Sequence, residues 1–245
     1  MVGAPAATGA IKRAQALPNL RVGLHVVLVD GEALSERHEI PDLLDRSGRL
    51  RNDLATLGAQ IALSPTLRRQ VEIEISAQFE TYRATGLALD HVNAHRHFHL
   101  HPVVAASIMR IGKQYGMRGL RVPVEPWRII AEIEPHTQRQ LGRITAPWAK
   151  WLRRRVRRAG LKTADAVFGL AWSGAMTQSR LAALLRRLPP GVVEIYLHPA
   201  TTSDFAGAAP GYRYSEEFAA LRDRDCIAAA RGSGYALGGY ADIDG

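Results

Sequence analysis

The chain has 245 residues, 47% of them hydrophobic and 22% charged, enough apolar material for one sizeable core and too much for a disordered chain. No apolar run approaches the length of a membrane span and Met1 opens no charged-then-apolar leader, so the reading is of a cytoplasmic protein. Cys226 is the single cysteine, which excludes an internal disulfide and a multi-cysteine zinc cluster, and leaves any metal to His, Asp or Glu.

In chain order, residues 1–5 read as the end of a strand rather than its start, followed by a helix through Leu17. The run at 21–29 is rich in β-branched residues and closes on Asp30-Gly31, which predicts a buried strand. Residues 32–63 read as a loop-rich insertion, because Pro41, Asp42, Asp45, Ser47 and Gly48 break any period. Ser64 then caps a helix with Pro65 at its first position, with Leu67, Val71, Ile75, Phe79 and Tyr82 on one face and Gly86 at its end. A strand at 87–95, a helix at 102–115 and a strand at 120–124 follow. After them come a strand at 166–172, a capped helix at 177–188, a strand at 192–198, a helix at 215–231 and a short strand at 235–240.

This alternation predicts an α/β fold, a single deformed (β/α) TIM-barrel-like domain over residues 1–245. Six strands fall short of the eight or so that a closed barrel needs, so one βα unit of roughly 30–40 residues is expected upstream and the barrel to be incomplete at the N-terminus.

Chemistry concentrates at 91–101, where five of the nine histidines fall within eleven residues. On an extended strand Asn93, His95 and His97 share one face and project together at the strand's C-terminal end, the active-site end of an α/β barrel. Neutral imidazole is a common ligand of borderline divalent ions, which makes His95 a candidate metal ligand, while His99 and His101 fit better as helix-capping or backbone-bonded residues. His25 lies in the middle of an apolar run. A lone buried histidine is often a satisfied core residue, but a neighbouring strand of the same sheet makes it a second candidate ligand. His198 ends the predicted strand at 192–198 and is a candidate general acid, with loop capping as the alternative.

Together, Gly23-Leu24-His25, the segment from Asp90 to His97 and Glu194-Ile-Tyr-Leu-His198-Pro199 resemble three successive motifs of the YdjC-like carbohydrate deacetylases, a likeness that covers essentially the whole chain. The segments 28–31, 168–174 and 210–214 resemble its hopanoid-associated branch. The resemblance implies a divalent cation, Mg or Zn, held by one aspartate and two histidines. The histidines correspond to His25 and His95, whereas the family's Asp-Asp pair, which also supplies the catalytic base, has no counterpart in the sequence. It further implies metal-assisted hydrolysis of the N-acetyl group of an amino sugar, possible lipid linkage of that sugar to a hopanoid, His198 as the acid, and His97, Asn93 and Arg121 near the metal or the substrate. The alternative is a catalytically weak or inactive relative that binds metal or sugar.

The net charge of +9 is concentrated, since Lys150, Arg153, Arg154, Arg155, Arg157, Arg158 and Lys162 crowd one segment. With Trp148, Trp151, Leu152 and Val156 between them, residues 150–162 fit a helix lying against the inner face of an anionic membrane, or equally an outer helix with a solvated charged face. Aromatic residues make up only 7% and no reader motif is present, so no nucleic-acid partner is expected. A homodimer is compatible with the sequence.

Overall fold

The opening helix and the first apolar run form where the sequence places them, as α1 (Ala7–Gln15) and β1 (Val22–Val26), in a computed structural model that describes residues 1–137, 142–205 and 207–243, the side chains of 142–145 excepted. Within it the chain divides into two compact units. The first comprises Met1–Val122, Trp151–Thr163 and Gly238–Gly245, the second Pro123–Lys150 and Ala164–Leu237.

In the first unit, the insertion predicted as loop holds a helix, α2 (Leu54–Leu63), with Leu57, Gly58 and Ile61 buried. Its apolar spacing is correct, but ten residues interrupted by a glycine carry a weak periodic signal. α3 (Pro65–Ala84) is built as predicted: the Ser64 hydroxyl accepts from the Leu67 N–H at 3.2 Å, and Leu67, Val71, Ile75, Phe79 and Tyr82 are all buried. Beside this apolar face runs a buried polar row, Gln70, Glu74 and Gln78, one residue per turn. Gln70 accepts from the Asp42 N–H, Glu74 from the N–H groups of Leu34 and Ser35, and Gln78 both accepts from and donates to the backbone of Val27. The row therefore supplies the hydrogen bonds that the chain leaving β1 does not find in a sheet.

β2 (Leu89–Ala94) pairs in parallel with β1, bringing Leu24 beside Val92, His25 beside Asn93 and Val26 beside Ala94. Between the Val22–Leu89 and Leu24–Val92 pairs β2 carries one extra residue. α4 (Pro102–Gln114) follows, closed by Gly116 at φ 72°. The strand expected at 120–124 is reduced to bridges, Val92 with Leu120 and Gly119 with Lys162, because Pro123 has no N–H to continue a ladder.

In the second unit are α5 (Trp127–Ile133) and the start of α6 (Gly142–Arg158), the basic helix that continues into residues assigned to the first unit. Of its interleaved apolar residues, Leu152 and Val156 are buried, whereas Trp148 and Trp151 are more than a third exposed. β3 (Ala166–Phe168) pairs in parallel with β4 (Val193–Ile195), with α7 (Gln178–Leu185) between them. Both strands are shorter than predicted. β3 stops at Gly169, whose φ of 127° leaves the extended region, and β4 stops at Ile195, so His198 lies beyond the strand rather than at its end. Thr177 precedes α7 but its side chain makes no capping bond.

The helix predicted at 215–231 is two helices, α8 (Tyr214–Arg222) and α9 (Arg224–Gly232). Asp223 between them is extended, and its carboxylate accepts from the N–H groups of Asp225 and Cys226, an N-cap that the sequence reading placed inside a helix. Around these elements Ile130, Phe168, Trp172, Met176 and Leu184 form the second unit's core. The predicted strand at 235–240 is absent. Its place is taken by a single helical turn, Tyr240–Asp242, which belongs to the first unit. Four strands thus stand among the described residues where six were expected.

Replacing Gln78 by Leu keeps the volume near constant but leaves the Val27 N–H and carbonyl buried without partners. The expected cost is about 2–4 kcal/mol, read as a lower urea midpoint with an unchanged slope. Stability equal to the parent would show that this polar row is dispensable.

Candidate functional site

The parallel register places His25 beside Asn93, and the imidazole Nδ1 meets the carboxamide Oδ1 in a short hydrogen bond. An amide oxygen only accepts, so Nδ1 carries the proton and Nε2 is left with its lone pair. His95 is the first residue beyond β2, and its ring lies 5.7 Å from that of His25, edge to face at 75°. With metal–nitrogen bonds of about 2.0–2.1 Å, two imidazoles on one tetrahedral ion have centroids roughly 5 Å apart, so this pair fits a shared divalent cation. Burial, the largest influence, pushes His25 down to about 3; the Asn93 bond opposes it, while the positive charges of the chain's amino terminus, His95 and Arg121 add to it. An imidazole held uncharged at neutral pH is the form that ligates a metal. Among the described residues no group of three His, Cys, Asp or Glu side chains is arranged to hold an ion.

The strand alternation expected to align Asn93, His95 and His97 ends at Ala94. Residues His95–Leu100 form a tight helical segment in which Arg96 and His97 both take left-handed conformations, φ 51° and 54°. Each such residue costs roughly 1–2 kcal/mol without a glycine. The double turn leads the chain from β2 towards α4 directly after His95, and sends the His97 ring to His99, 6.1 Å away. His99 is fully buried, and burial, followed by the charges of His97 and Arg121, drives its pKa well below the usual histidine value. His101 stands at the N-cap of α4, yet its side chain makes no capping bond. Its pKa is lowered by burial, opposed by a hydrogen bond to the backbone of Gly58. Arg121 donates its backbone N–H to Val92 O at 2.9 Å, and its charge reaches both His25 and His99. Of the predicted residues, His25, Asn93 and His95 are therefore brought together, with Arg121 within electrostatic reach.

His198 belongs to the second unit. Its backbone N–H donates to the carboxylate of Glu217, a fully buried residue whose other oxygen accepts from the Met176 N–H at 2.8 Å. Its ring packs edge-on between Tyr196 and Tyr212, at 5.7 and 5.1 Å. The Tyr212 hydroxyl bonds Ser173, and Gly174 leaves the space that the Tyr212 ring fills, since a Cβ there would meet the ring at 2.2 Å.

Asp90, His91 and Tyr240 received no role from the sequence. Asp90 is buried, bonds His91 at 2.9 Å, and accepts from the N–H groups of Tyr240 and Ala241, while the His91 and Tyr240 rings stack at 4.6 Å. A signal existed in the alternation itself, which, counted back from Asn93, reaches His91 as readily as it counts forward to His95.

Comparison with known proteins gives a consistent picture. The family profile described as YdjC-like protein matches residues 1–231. A carbohydrate deacetylase of Geobacillus stearothermophilus is 27% identical over 247 residues, taking in 99% of this chain and 84% of that protein. Another from Thermoanaerobacter pseudethanolicus is 23% identical over 98% of this chain and 85% of its own length. A third, from Brevibacillus brevis, is 34% identical over 48% of this chain and 43% of its own. Among solved structures, a cellobiose-phosphate cleavage protein of Enterococcus faecalis V583 superposes with a TM-score of 0.70 at 18% identity, over 98% of this chain and 85% of that one. That likeness shows a shared fold, in agreement with the α/β class and the deformed-barrel type expected from the sequence.

Arg96→Gly should relieve one of the two left-handed residues, at the loss of only a surface ion pair with Asp30 at 3.6 Å. A net stabilisation of about 1 kcal/mol is expected in urea unfolding. Destabilisation would show that the backbone there is not strained.

Proposed function

The chain belongs to the YdjC-like family, and from that membership we propose that it is a metal-dependent carbohydrate deacetylase that hydrolyses the N-acetyl group of an amino sugar. The observation that carries the proposal is the pairing of the His25 and His95 rings at 5.7 Å, from the mouth of one parallel strand pair. The relatives named as carbohydrate deacetylases support the same chemistry.

In this reading His25 and His95 hold a divalent cation, with zinc or magnesium as candidates and the imidazole donors favouring zinc. Once bound, such an ion polarises an amide carbonyl and acidifies its water. Asn93 keeps the His25 Nδ1 occupied, so that Nε2 is the donor atom. Hydrolysis breaks the amide C–N bond and leaves an amine that needs a proton. We assign that proton to His198, which Glu217 and the two tyrosine rings hold in place. Arg121, whose charge reaches His25, is assigned to the substrate's polar groups.

The branch-specific segments extend the proposal to a lipid-linked substrate, an N-acetylglucosaminyl hopanoid. α6 offers a contact for the membrane carrying it: Trp148 and Trp151 are exposed among arginines, and the Arg155 guanidinium lies 4.9 Å over the Trp151 ring. No helix among the described residues is long and apolar enough to cross a membrane.

A second reading, binding of metal and sugar without turnover, is favoured by the two-donor character of the described site. One assay separates the two. Acetate release from N-acetylglucosamine oligomers is expected to depend on added Zn²⁺ or Mg²⁺, to stop with a chelator, and to fall by roughly a hundredfold or more in His25→Ala and His95→Ala. His198→Ala should lower kcat by about 10²–10⁴ while cation binding, followed by calorimetry, stays unchanged. Cation binding with no acetate would establish the second reading.

For the membrane contact, the protein should sediment with vesicles containing phosphatidylserine and lose that binding when Arg153, Arg154 and Arg155 are all changed to Glu. Equal sedimentation of parent and variant would remove α6 from the proposal.

A further inference from the structure

We infer that Asp90, His91 and Asn93 are positioning residues: a one-way hydrogen-bond chain, anchored on the backbone of the C-terminal turn, that fixes which ring nitrogen of His25 is left free. The inference rests on the reading of His25 as a cation ligand, and it extends that site to three side chains and a turn that lie away from the ion.

The direction of the chain follows from its buried end. The Asp90 carboxylate is 5% exposed and accepts the Tyr240 N–H at 3.0 Å and the Ala241 N–H at 2.9 Å. An ionised carboxylate has nothing to donate, so the His91 Nδ1 that lies 2.9 Å from it must carry a proton. With one proton, at Nδ1, the His91 ring presents a lone pair at Nε2, which asks for a donor. The Asn93 amide Nδ2 is 3.4 Å away. With its NH₂ group turned to His91, the carboxamide can show only its oxygen to His25, and His25 must bring Nδ1–H to it. A single proton on that ring leaves the lone pair on Nε2. Turning Asn93 the other way would require a second proton on His91.

The surroundings are shaped to keep these members aligned. The extra residue in β2 falls between the pairs that flank Asp90 and His91, as expected where two consecutive side chains must reach each other. Gly23 leaves room for the His91 ring, since a Cβ there would stand 2.7 Å from both the ring and the His91 carbonyl oxygen. Tyr240 stacks on the His91 ring at 4.6 Å, and a Cβ on Gly119 would lie 2.3 Å from the Tyr240 ring. A Cβ on Gly239 would come within 2.7 Å of the Asp90 carboxylate. Asp242 secures this turn by accepting from the Gly239 N–H at 2.8 Å and pairing with Arg21 at 2.7 Å. Burial alone would raise the Asp90 pKa, but the bonds from Ala241, His91 and Tyr240 hold it below the ordinary carboxylate value.

The test reads the tautomer directly, by long-range ¹H–¹⁵N NMR of the metal-free, histidine-labelled protein. The parent should show His25 as Nδ1–H. In His91→Phe, which keeps a ring beside Tyr240 but has no nitrogen, Asn93 is released from its orientation and His25 should populate both tautomers, with Zn²⁺ affinity by calorimetry falling roughly 10-fold. Asn93→Asp, which still accepts from His25, should retain Nδ1–H. If His91→Phe does not fold, Asp90→Ala serves instead: it removes the acceptor of the His91 Nδ1–H and should likewise leave His25 in both tautomers. A folded His91→Phe or Asp90→Ala protein in which His25 remains wholly Nδ1–H would overturn the inference. Because this measurement needs neither cation nor substrate, its failure is distinct from a failure of acetate release.

Discussion

A parallel ladder only a few residues long decides which polar groups meet in the first unit. With His25 opposite Asn93, one imidazole faces one carboxamide, and the buried apolar neighbours Leu24 and Val26 turn the other way. A slip of one residue would carry Leu24 or Val26 to the position of the ring and bury an imidazole without a partner, at a cost of a few kcal/mol. The hydrogen bond between His25 and Asn93 is thus a consequence of strand register as much as of side-chain chemistry. Everything proposed for the cation site inherits that constraint.

The same logic governs the chain that leaves β1. Residues beyond Val26 run without a strand partner, yet Val27, Leu28 and Val29 are buried, so their backbone groups have limited access to water. α3 answers with Gln70, Glu74 and Gln78 in a row along its inner side, each accepting from backbone N–H groups of that chain, while Gln70 also donates to Asp42 and Gln78 to Glu74. A purely apolar helix face would have left those groups unsatisfied. Buried polar residues here replace sheet hydrogen bonds, and the helix that carries them is also the one whose apolar stripe packs the core.

Much of this was legible in the sequence, and the failures have identifiable causes. α3 and α4 carry long periodic stripes that open on a proline at the first helical position and close at Gly86 and Gly116, which is why their bounds hold within a residue or two. Strand ends were read too long, because a run of β-branched residues states only that a segment is extended and buried; Val27 to Val29 meet that condition beyond the end of β1, and Tyr196 meets it beyond the end of β4. Asp223 looked like one polar residue in a helical period, although an aspartate followed by a helical segment is also an N-cap. At the candidate site the histidine cluster drew attention to itself, and His25 and His95 do meet. What the sequence could not display was the turn Tyr240–Asp242 folding back on Asp90, since 150 positions separate Tyr240 from the carboxylate to which it donates. His97 was assigned by alternation to a face that the strained backbone at Arg96 and His97 removes it from.

Two left-handed residues in succession, neither a glycine, would be eliminated quickly if they served only to connect a strand to a helix. A gentler turn needs more chain, and more chain would let His95 move relative to β2. The tight turn instead keeps His95 as the residue immediately after Ala94, whose own pairing to Val26 is fixed by the ladder. Both proposed ligands are then referenced to the same strand pair: His25 from within it, through Asn93, and His95 from its last paired residue. A site in which each imidazole is located by backbone hydrogen bonds, rather than by the ion it is to hold, loses little conformational freedom when the ion arrives. On this argument the strain at Arg96 and His97 is a structural cost offset by the order it imposes on His95, and the buried chain from Asp90 performs the corresponding task for His25.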